Sequence, residues 1–228
     1  MAFSNYFCYY AFRMTRTEEN YIKAIFHLEA ADDTVSTKAI SESLQLNAAS
    51  VTDMFKKLGE QKLVVYEKSK GVRLTEKGRK SALKIIRRHR LWETFLFEKL
   101  KFSWDEVHEV AEQLEHVHSD LLIEKLDALL NYPRVDPHGD PIPDVNGKML
   151  ESKAISLVQA KTGQFYKVAM VKADSTTFLK YVNKIGLSLG DVIKIKEVEE
   201  FDGSMRIQLS GKNEIVLSRQ AALQLFVK

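Results

Sequence analysis

From Glu18 to Glu29 apolar residues recur at the helical period, with Tyr21, Ile22, Ile25, Phe26 and Leu28 forming the repeat. Thr15 or Thr17, followed by acids, predicts the cap that starts this helix. The stretch VSTKAISESLQLNAASVTDMFKKLGEQKLVVYEKSKGVRLTEKG then reads as helix, short turn, helix, and two strands joined by a turn at Lys70 and Gly71. Ile40 and Leu44 are i,i+4 partners on the first of these helices, while Val51, Phe55 and Leu58 face inward on the second. The pattern is that of a winged helix-turn-helix, assigned to residues 14–77. Residues 78–132 read as helical, with a long stripe of Leu83, Ile86, Leu91, Phe95 and Leu96, an acidic helix from Val107 to Asp120, and LLIEKLDALL. All four prolines then fall within 133–153, which reads as a linker. Across 154–228, GQFYKVAMVK, GDVIKIKEVEE, SMRIQLSG and NEIVLSR alternate like short strands around a helix, FLKYVNKIG, ended by Gly186. The expected fold class is α+β and multi-domain, ending in a small β-barrel.

Composition narrows the setting. A chain of 228 residues with 45% hydrophobic and 29% charged residues is an ordinary folded protein. No apolar run approaches the ~20 residues of a membrane helix, and the aromatic start AFSNYFCYYAF lacks the basic region of a signal peptide. A cytoplasmic protein with no membrane partner is expected, with Met14 as the natural start. Cys8 is the sole cysteine, so any metal site must be built from oxygen and nitrogen ligands.

The net charge of +3 hides a polarity along the chain. Between Lys56 and Arg90 thirteen Lys and Arg residues stand against three acids, Glu60, Glu67 and Glu76, an excess suited to a polyanion. It begins inside the second helix of the helix-turn-helix. A helix entering the major groove reads bases with its N-terminal residues, and Ala48, Ala49, Ser50, Thr52 and Asp53 are short enough to approach. The candidate DNA contacts are Thr37, Lys38, Asn47, Ala49, Ser50, Thr52, Asp53, Lys57, Lys70 and Arg73, with Lys57, Lys70 and Arg73 as phosphate contacts.

The acidic helix carries different chemistry. At about 100° per residue His108, Glu112, Glu115 and His116 fall within an arc of about 100°, which gathers imidazole and carboxylate groups on one face. Residues 105–127 hold eight acids against Lys125 alone, a field that favours a cation. His89 and Glu93 lie four apart on the preceding helix, so the two helices supply ligands to a site built between them. His138, a turn histidine beside Pro137 and Gly139, is expected to face solvent and is left out of the site.

TEENYIKAIFHL, NAASVTDMFKKL, GVRLTEKG, RRHRLWE, EQLEHVHSD and PHGDPIP resemble, in order, blocks of the metal-dependent repressors of the diphtheria toxin repressor and manganese transport regulator family. The resemblance covers almost everything after Met14. It implies a helical metal-binding and dimerisation domain after the winged helix, and an SH3-like domain after the linker. It also implies a primary metal site of Asn20, Glu112, Glu115 and His116, and an ancillary site of His89, Glu93 and His108, with Asp174 added by the last domain. Two positions depart from the family. Asn20 stands where an Asp or Met is usual, and Lys23 where the manganese regulators place a Glu. Glu112 stands where the iron-type members carry Cys, so the ion expected is Mn²⁺, with Fe²⁺ as the alternative.

The function this resemblance implies is a metal-activated repressor of metal-uptake genes, a homodimer on a palindromic operator in double-stranded DNA, with no organic cofactor. The competing reading is a metal-independent winged-helix regulator that senses an organic ligand or redox state. Catalysis is not expected: His108-Glu109-Val110-Ala111-Glu112 fails the zincin pattern, Gln113 breaks its inverse, and no Ser or Cys nucleophile constellation stands out.

Overall fold

The computed structural model describes residues 14–29, 34–149, 152–172, 176–209 and 214–228. The readings made at Cys8 and Asp174 lie outside them. The chain divides into two compact units, Met1–Ile86 and Arg87–Lys228.

In the first unit α1 (Arg16–Leu28) starts at Thr15, whose side chain accepts from the Glu18 N–H while the Glu18 carboxylate accepts from the Thr15 N–H. This reciprocal cap removes two orphan donors from the helix end. α2 (Thr37–Leu44) is capped by Ser36, and α3 (Ala48–Glu60) by Asn47, whose Oδ1 accepts from the Ser50 N–H at 2.8 Å. β1 (Val64–Glu67) and β2 (Gly71–Leu74) form the antiparallel wing, with Val64 opposite Leu74 and Glu67 opposite Gly71. Val35 adds a bridge to Val72. Gly71 has φ 110°, and a Cβ there would lie 2.4 Å from the Val35 carbonyl oxygen, so the wing turn admits no larger residue without a shift. Tyr21, Ile22, Ile25, Ile40, Val51, Phe55 and Leu58 form one core with the inward residues of the wing. The Phe55 ring sits edge-on to Tyr21 at 6.4 Å, a contact that ties α3 to α1.

α4 (Glu76–Glu98) enters the second unit at Arg87. There it packs with α5 (Val107–Leu114) and α6 (Asp120–Leu129) through two apolar clusters, Leu91 with Ile123, Leu126, Leu130 and Ile142, and Leu96 with Val107 and Ala111. Arg87 bonds Asp127 at 2.6 Å and the Pro143 carbonyl at 2.6 Å, which holds α6 and the segment after it to α4. The acidic helix expected to run to Asp120 ends at Leu114. Ser119 caps α6 by accepting from the Leu122 N–H, so residues 116–118 lie between two helices.

The last part of the unit is a six-stranded antiparallel sheet of order β3-β8-β4-β5-β6-β7. Its strands are β3 (Ile155–Ser156), β4 (Phe165–Val171), β5 (Val192–Val198), β6 (Met205–Leu209), β7 (Glu214–Leu217) and β8 (Leu225–Val227), with α7 (Thr176–Lys184) and the short α8 (Arg219–Leu223) beside it. The core of this sheet includes Trp104, from the segment before α5. Among the described residues no helix is long and apolar enough to cross a membrane.

Candidate metal centre and nucleic-acid interface

α4 presents His89 and Glu93 one turn apart, and both are buried. Glu93 Oε1 lies 2.9 Å from His89 Nε2 and 3.3 Å from His108 Nδ1, on α5. The other nitrogen of His89, Nδ1, lies 2.7 Å from Glu115 Oε2 and 3.9 Å from Glu112 Oε1. A carboxylate only accepts, so a ring flanked by carboxylate oxygens on both sides needs a proton on each nitrogen or a cation in its place. Glu115 is fully buried where α5 ends, and its carbonyl is held by Arg88 Nε at 2.5 Å. His116 Nε2 is 3.7 Å from Glu115 Oε1.

A third group converges on the same glutamate. His138 is 1% exposed, and its Nε2 lies 2.7 Å from the Trp104 carbonyl oxygen. That oxygen can only accept, so Nε2 carries a hydrogen, which leaves Nδ1 as the ring nitrogen directed at the cluster. Nδ1 has no hydrogen-bond partner among the described residues and lies 3.9 Å from Glu93 Oε2. Asp136 closes the group: its Oδ1 accepts from the His138 and Asp140 N–H groups, and Arg90 Nε lies 3.5 Å from its Oδ2. Burial pushes the Asp136 carboxyl well up, the Glu93 and Asp140 charges push it further, and Arg90 opposes them. Burial also works against ionisation of Glu93, but the His89 charge and the hydrogen bonds from His108 and His89 outweigh it and hold that carboxyl below the usual range.

Three sets of donor atoms therefore lie within 4.8 Å of one another: His89 with Glu93 and His108, His89 with Glu112 and Glu115, and Glu93 with Asp136 and His138. His89 and Glu93 are each shared by two sets. The expectation that His138 faces solvent is corrected, since it is buried and aimed at Glu93. Asp136 was not anticipated at all. The signal was present in DPHGDP, where two acids and a histidine alternate among the prolines, but a proline-rich stretch reads first as a linker. The segment is instead anchored: the His138 carbonyl accepts from the Val171 N–H at 2.8 Å, and a Cβ on Gly139, at φ 90°, would lie 2.2 Å from the Ala169 carbonyl oxygen. Asn20 belongs to the first unit, on α1, where its Oδ1 is buried with no hydrogen-bond partner among the described residues. A buried carboxamide oxygen left without a donor fits a cation ligand.

The described donor set is entirely oxygen and nitrogen, rich in buried carboxylates, and fits a hard or borderline divalent ion such as Mn²⁺ or Fe²⁺.

The DNA-contact candidates occupy one helix pair and the wing of the first unit. Ala49, Ser50 and Asp53 are exposed on the first turns of α3, and Thr52 bonds back to the Ala48 carbonyl at 2.9 Å. Asn47 is engaged as the α3 cap. Asp53 pairs with Lys56 at 3.0 Å, and exposed Lys38 pairs with Glu42 at 3.7 Å, next to Thr37 at the start of α2. Lys70 sits in the wing turn with Glu67 at 2.7 Å, and Arg73 projects outward from β2. Lys57 is bound within the unit, 3.1 Å from buried Glu18.

Family models match nearly the whole length: "Iron dependent repressor, N-terminal DNA binding domain" over residues 13–72, "Iron dependent repressor, metal binding and dimerisation domain" over 75–144, and "FeoA domain" over 155–228. The HTH-type transcriptional regulator MntR of Oceanobacillus iheyensis is 34% identical over 122 residues, which cover 54% of this chain and 82% of that protein. The chain belongs to the diphtheria toxin repressor and manganese transport regulator family. The iron-dependent repressor IdeR of Mycobacterium tuberculosis is 34% identical over 127 residues, so the match spans 56% of this chain and about half, 55%, of IdeR. A solved manganese-dependent transcriptional repressor in complex with manganese superposes with a TM-score of 0.85 at 37% identity, covering 92% of this chain and 99% of the other.

Proposed function

We propose that this protein is a metal-activated, DNA-binding transcriptional repressor that responds to Mn²⁺, with Fe²⁺ as the alternative, and controls genes for metal-ion uptake. The observation that carries this reading is the linked set of imidazoles and carboxylates, buried at His89, Glu93, Glu115, Asp136 and His138, on a chain that also bears a winged helix. Left without a cation, four acids, Glu93, Glu112, Glu115 and Asp136, crowd three imidazoles, an arrangement that stability alone does not require.

Glu112, Glu115 and His116, together with Asn20, are proposed as the primary ligands. His89, Glu93 and His108 are the ancillary ones, joined by Asp136 and His138 through Glu93, with Asp174 a further ligand by family position. A bound divalent ion supplies the positive charge that lets these carboxylates converge. DNA competence follows if the ligand groups are best satisfied in the arrangement that aims α3, and by linkage operator DNA must then tighten ion binding.

α6 and the turn after it expose Leu121, Leu129 and Tyr132, at 64%, 56% and 69%. We assign this apolar strip to a twofold homodimer, which would present two α3 helices to a palindromic operator about one DNA turn, roughly 34 Å, apart. Thr37, Lys38, Asn47, Ala49, Ser50, Thr52 and Asp53 are proposed on the groove and Lys70 and Arg73 on phosphates, in a cytoplasmic protein. The test is anaerobic retention of genomic DNA fragments by the purified protein with Mn²⁺, with Fe²⁺ and with chelator, at fixed salt. Selective retention with one ion is expected. Retention indifferent to chelator overturns the reading in favour of an organic-ligand or redox sensor.

A further inference from the structure

Glu18 does more than cap a helix. In a capping box the glutamate needs one carboxylate oxygen, and here Oε2 fills that role by accepting from the Thr15 N–H at 2.6 Å. The second oxygen, Oε1, accepts from Gln61 Nε2 at 2.7 Å and from Lys57 Nζ at 3.1 Å. Glu18 is 1% exposed, so its carboxylate has little access to water and depends on these partners, although the Lys57 side chain is itself half exposed. Lys57 lies in the last turn of α3, and Gln61 is its C-cap.

A helix of 13 residues is about 20 Å long, so a tilt of about 5° at its C-terminal end displaces its first turn by about 1.5 Å. Recognition geometry tolerates roughly 0.5 Å. Whatever fixes the end of α3 therefore fixes the aim of Ala49, Ser50 and Asp53. We propose that Glu18 is a positioning residue for DNA recognition, strapping the end of α3 to the first turn of α1 through Lys57 and Gln61, and that Lys57 serves this strap instead of a DNA phosphate. The proposal rests on the DNA-binding reading above and deepens it. Asn20 follows Glu18 by two residues on the same turn of α1, so an ion taken by the Asn20 oxygen acts on the turn that holds α3.

The test uses the full chain with saturating Mn²⁺ and the duplex that the wild type enriches from a random-sequence pool. Glu18→Gln, Lys57→Met and their combination are compared for affinity across a salt series, for melting, and for Mn²⁺ binding by calorimetry. We expect each single variant to lose about tenfold in specific affinity, the double variant to lose no more than the worse single, and the Mn²⁺ isotherm to stay unchanged. The salt slope of Lys57→Met should equal that of the wild type, whereas loss of a phosphate contact would reduce it by about 0.9. If Glu18→Gln melts early, Gln61→Leu, which leaves the capping box intact, carries the comparison. Wild-type affinity in Glu18→Gln or Gln61→Leu, or a slope reduced by about one in Lys57→Met, overturns the strap. A wild type that retains no duplex with any ion overturns the regulator reading itself, and the strap's role in recognition with it.

Discussion

Replacing Glu93 with Gln is the sharpest test of the metal centre, because this residue belongs to two of the three donor sets. The substitution keeps the shape and one acceptor oxygen but removes the charge. In the metal-free protein Oε1 faces two imidazole nitrogens, at 2.9 and 3.3 Å. A hydrogen bond to a charged group contributes about 1 kcal/mol more than a neutral one, so two such bonds lower stability by about 2 kcal/mol. For a protein of this size that corresponds to a drop of roughly 4–8 °C. The larger effect is on the metal response. At an ion concentration 100-fold above Kd, wild-type stabilisation is about 2.7 kcal/mol, while a variant bound about 100-fold more weakly gains only about 0.4 kcal/mol under the same conditions. The assay is thermal unfolding followed by tryptophan fluorescence with Mn²⁺ and with chelator. Trp92 and Trp104 are the only tryptophans and both belong to the unit that carries the site, so the signal reports that unit. A Glu93→Gln protein that gains as many degrees from Mn²⁺ as the wild type refutes the assignment of Glu93 as a ligand.

Other outcomes follow from separate features. Asp136 has a raised pKa in the folded, metal-free protein, so it keeps its proton to higher pH than the unfolded chain does. Its contribution to stability is greatest below the ordinary carboxylate value and declines as pH rises through the raised one. Ion binding needs the carboxylate, so it should release a proton and tighten with pH in that window; calorimetry in buffers of different ionisation enthalpy should register this release, and Asp136→Asn should reduce it. Gly139→Ala places a Cβ at φ 90° and 2.2 Å from the Ala169 carbonyl oxygen, and should destabilise the second unit by more than about 1 kcal/mol, seen as an earlier fluorescence melt. Thr15→Ala removes the α1 cap and should cost about 1 kcal/mol in the first unit, measured by circular dichroism in denaturant. Arg73→Ala should weaken binding to all duplexes alike and reduce the salt slope by about 0.9; a selective loss for one sequence would mark it as a base reader instead.

The winged helix was legible because each of its devices is local. A cap at Thr15, apolar residues at the helical period, and Gly71 in the wing turn each act over a few residues, and they agree. The metal centre was half legible for the same reason: His89 with Glu93, and His108 with Glu112, are i,i+4 pairs that helical spacing brings to one face. His138 and Asp136 escaped because nothing local places them. They reach Glu93 through a turn held by the Trp104 carbonyl and by strand β4, contacts 34 residues away in one case, and a histidine beside proline and glycine has no period to announce that it is buried. The end of α5 is hidden because the acidic face continues to Asp120, although Ser119 followed by Asp before an apolar run is itself a helix start. β3 and β8 were missed because strands of two and three residues carry too few alternations to register.

The sharing of His89 and Glu93 changes how the site must be understood. Were the three donor sets separate, each would have its own affinity and a mutation in one would leave the others alone. Here Glu93 offers Oε1 to one set and Oε2 to another, and His89 offers Nε2 to one set and Nδ1 to another. Protonation or ligation at one oxygen of Glu93 withdraws charge from the other, and a hydrogen fixed on one nitrogen of His89 decides what the opposite nitrogen can do. The centre therefore responds as one coupled unit. Substitutions at His108, in a single set, should be milder than those at His89 or Glu93, and double substitutions across sets should depart from additivity. Equal and additive losses from His108→Ala and Glu93→Ala in Mn²⁺ calorimetry would mean that the sets act independently despite the atoms they share.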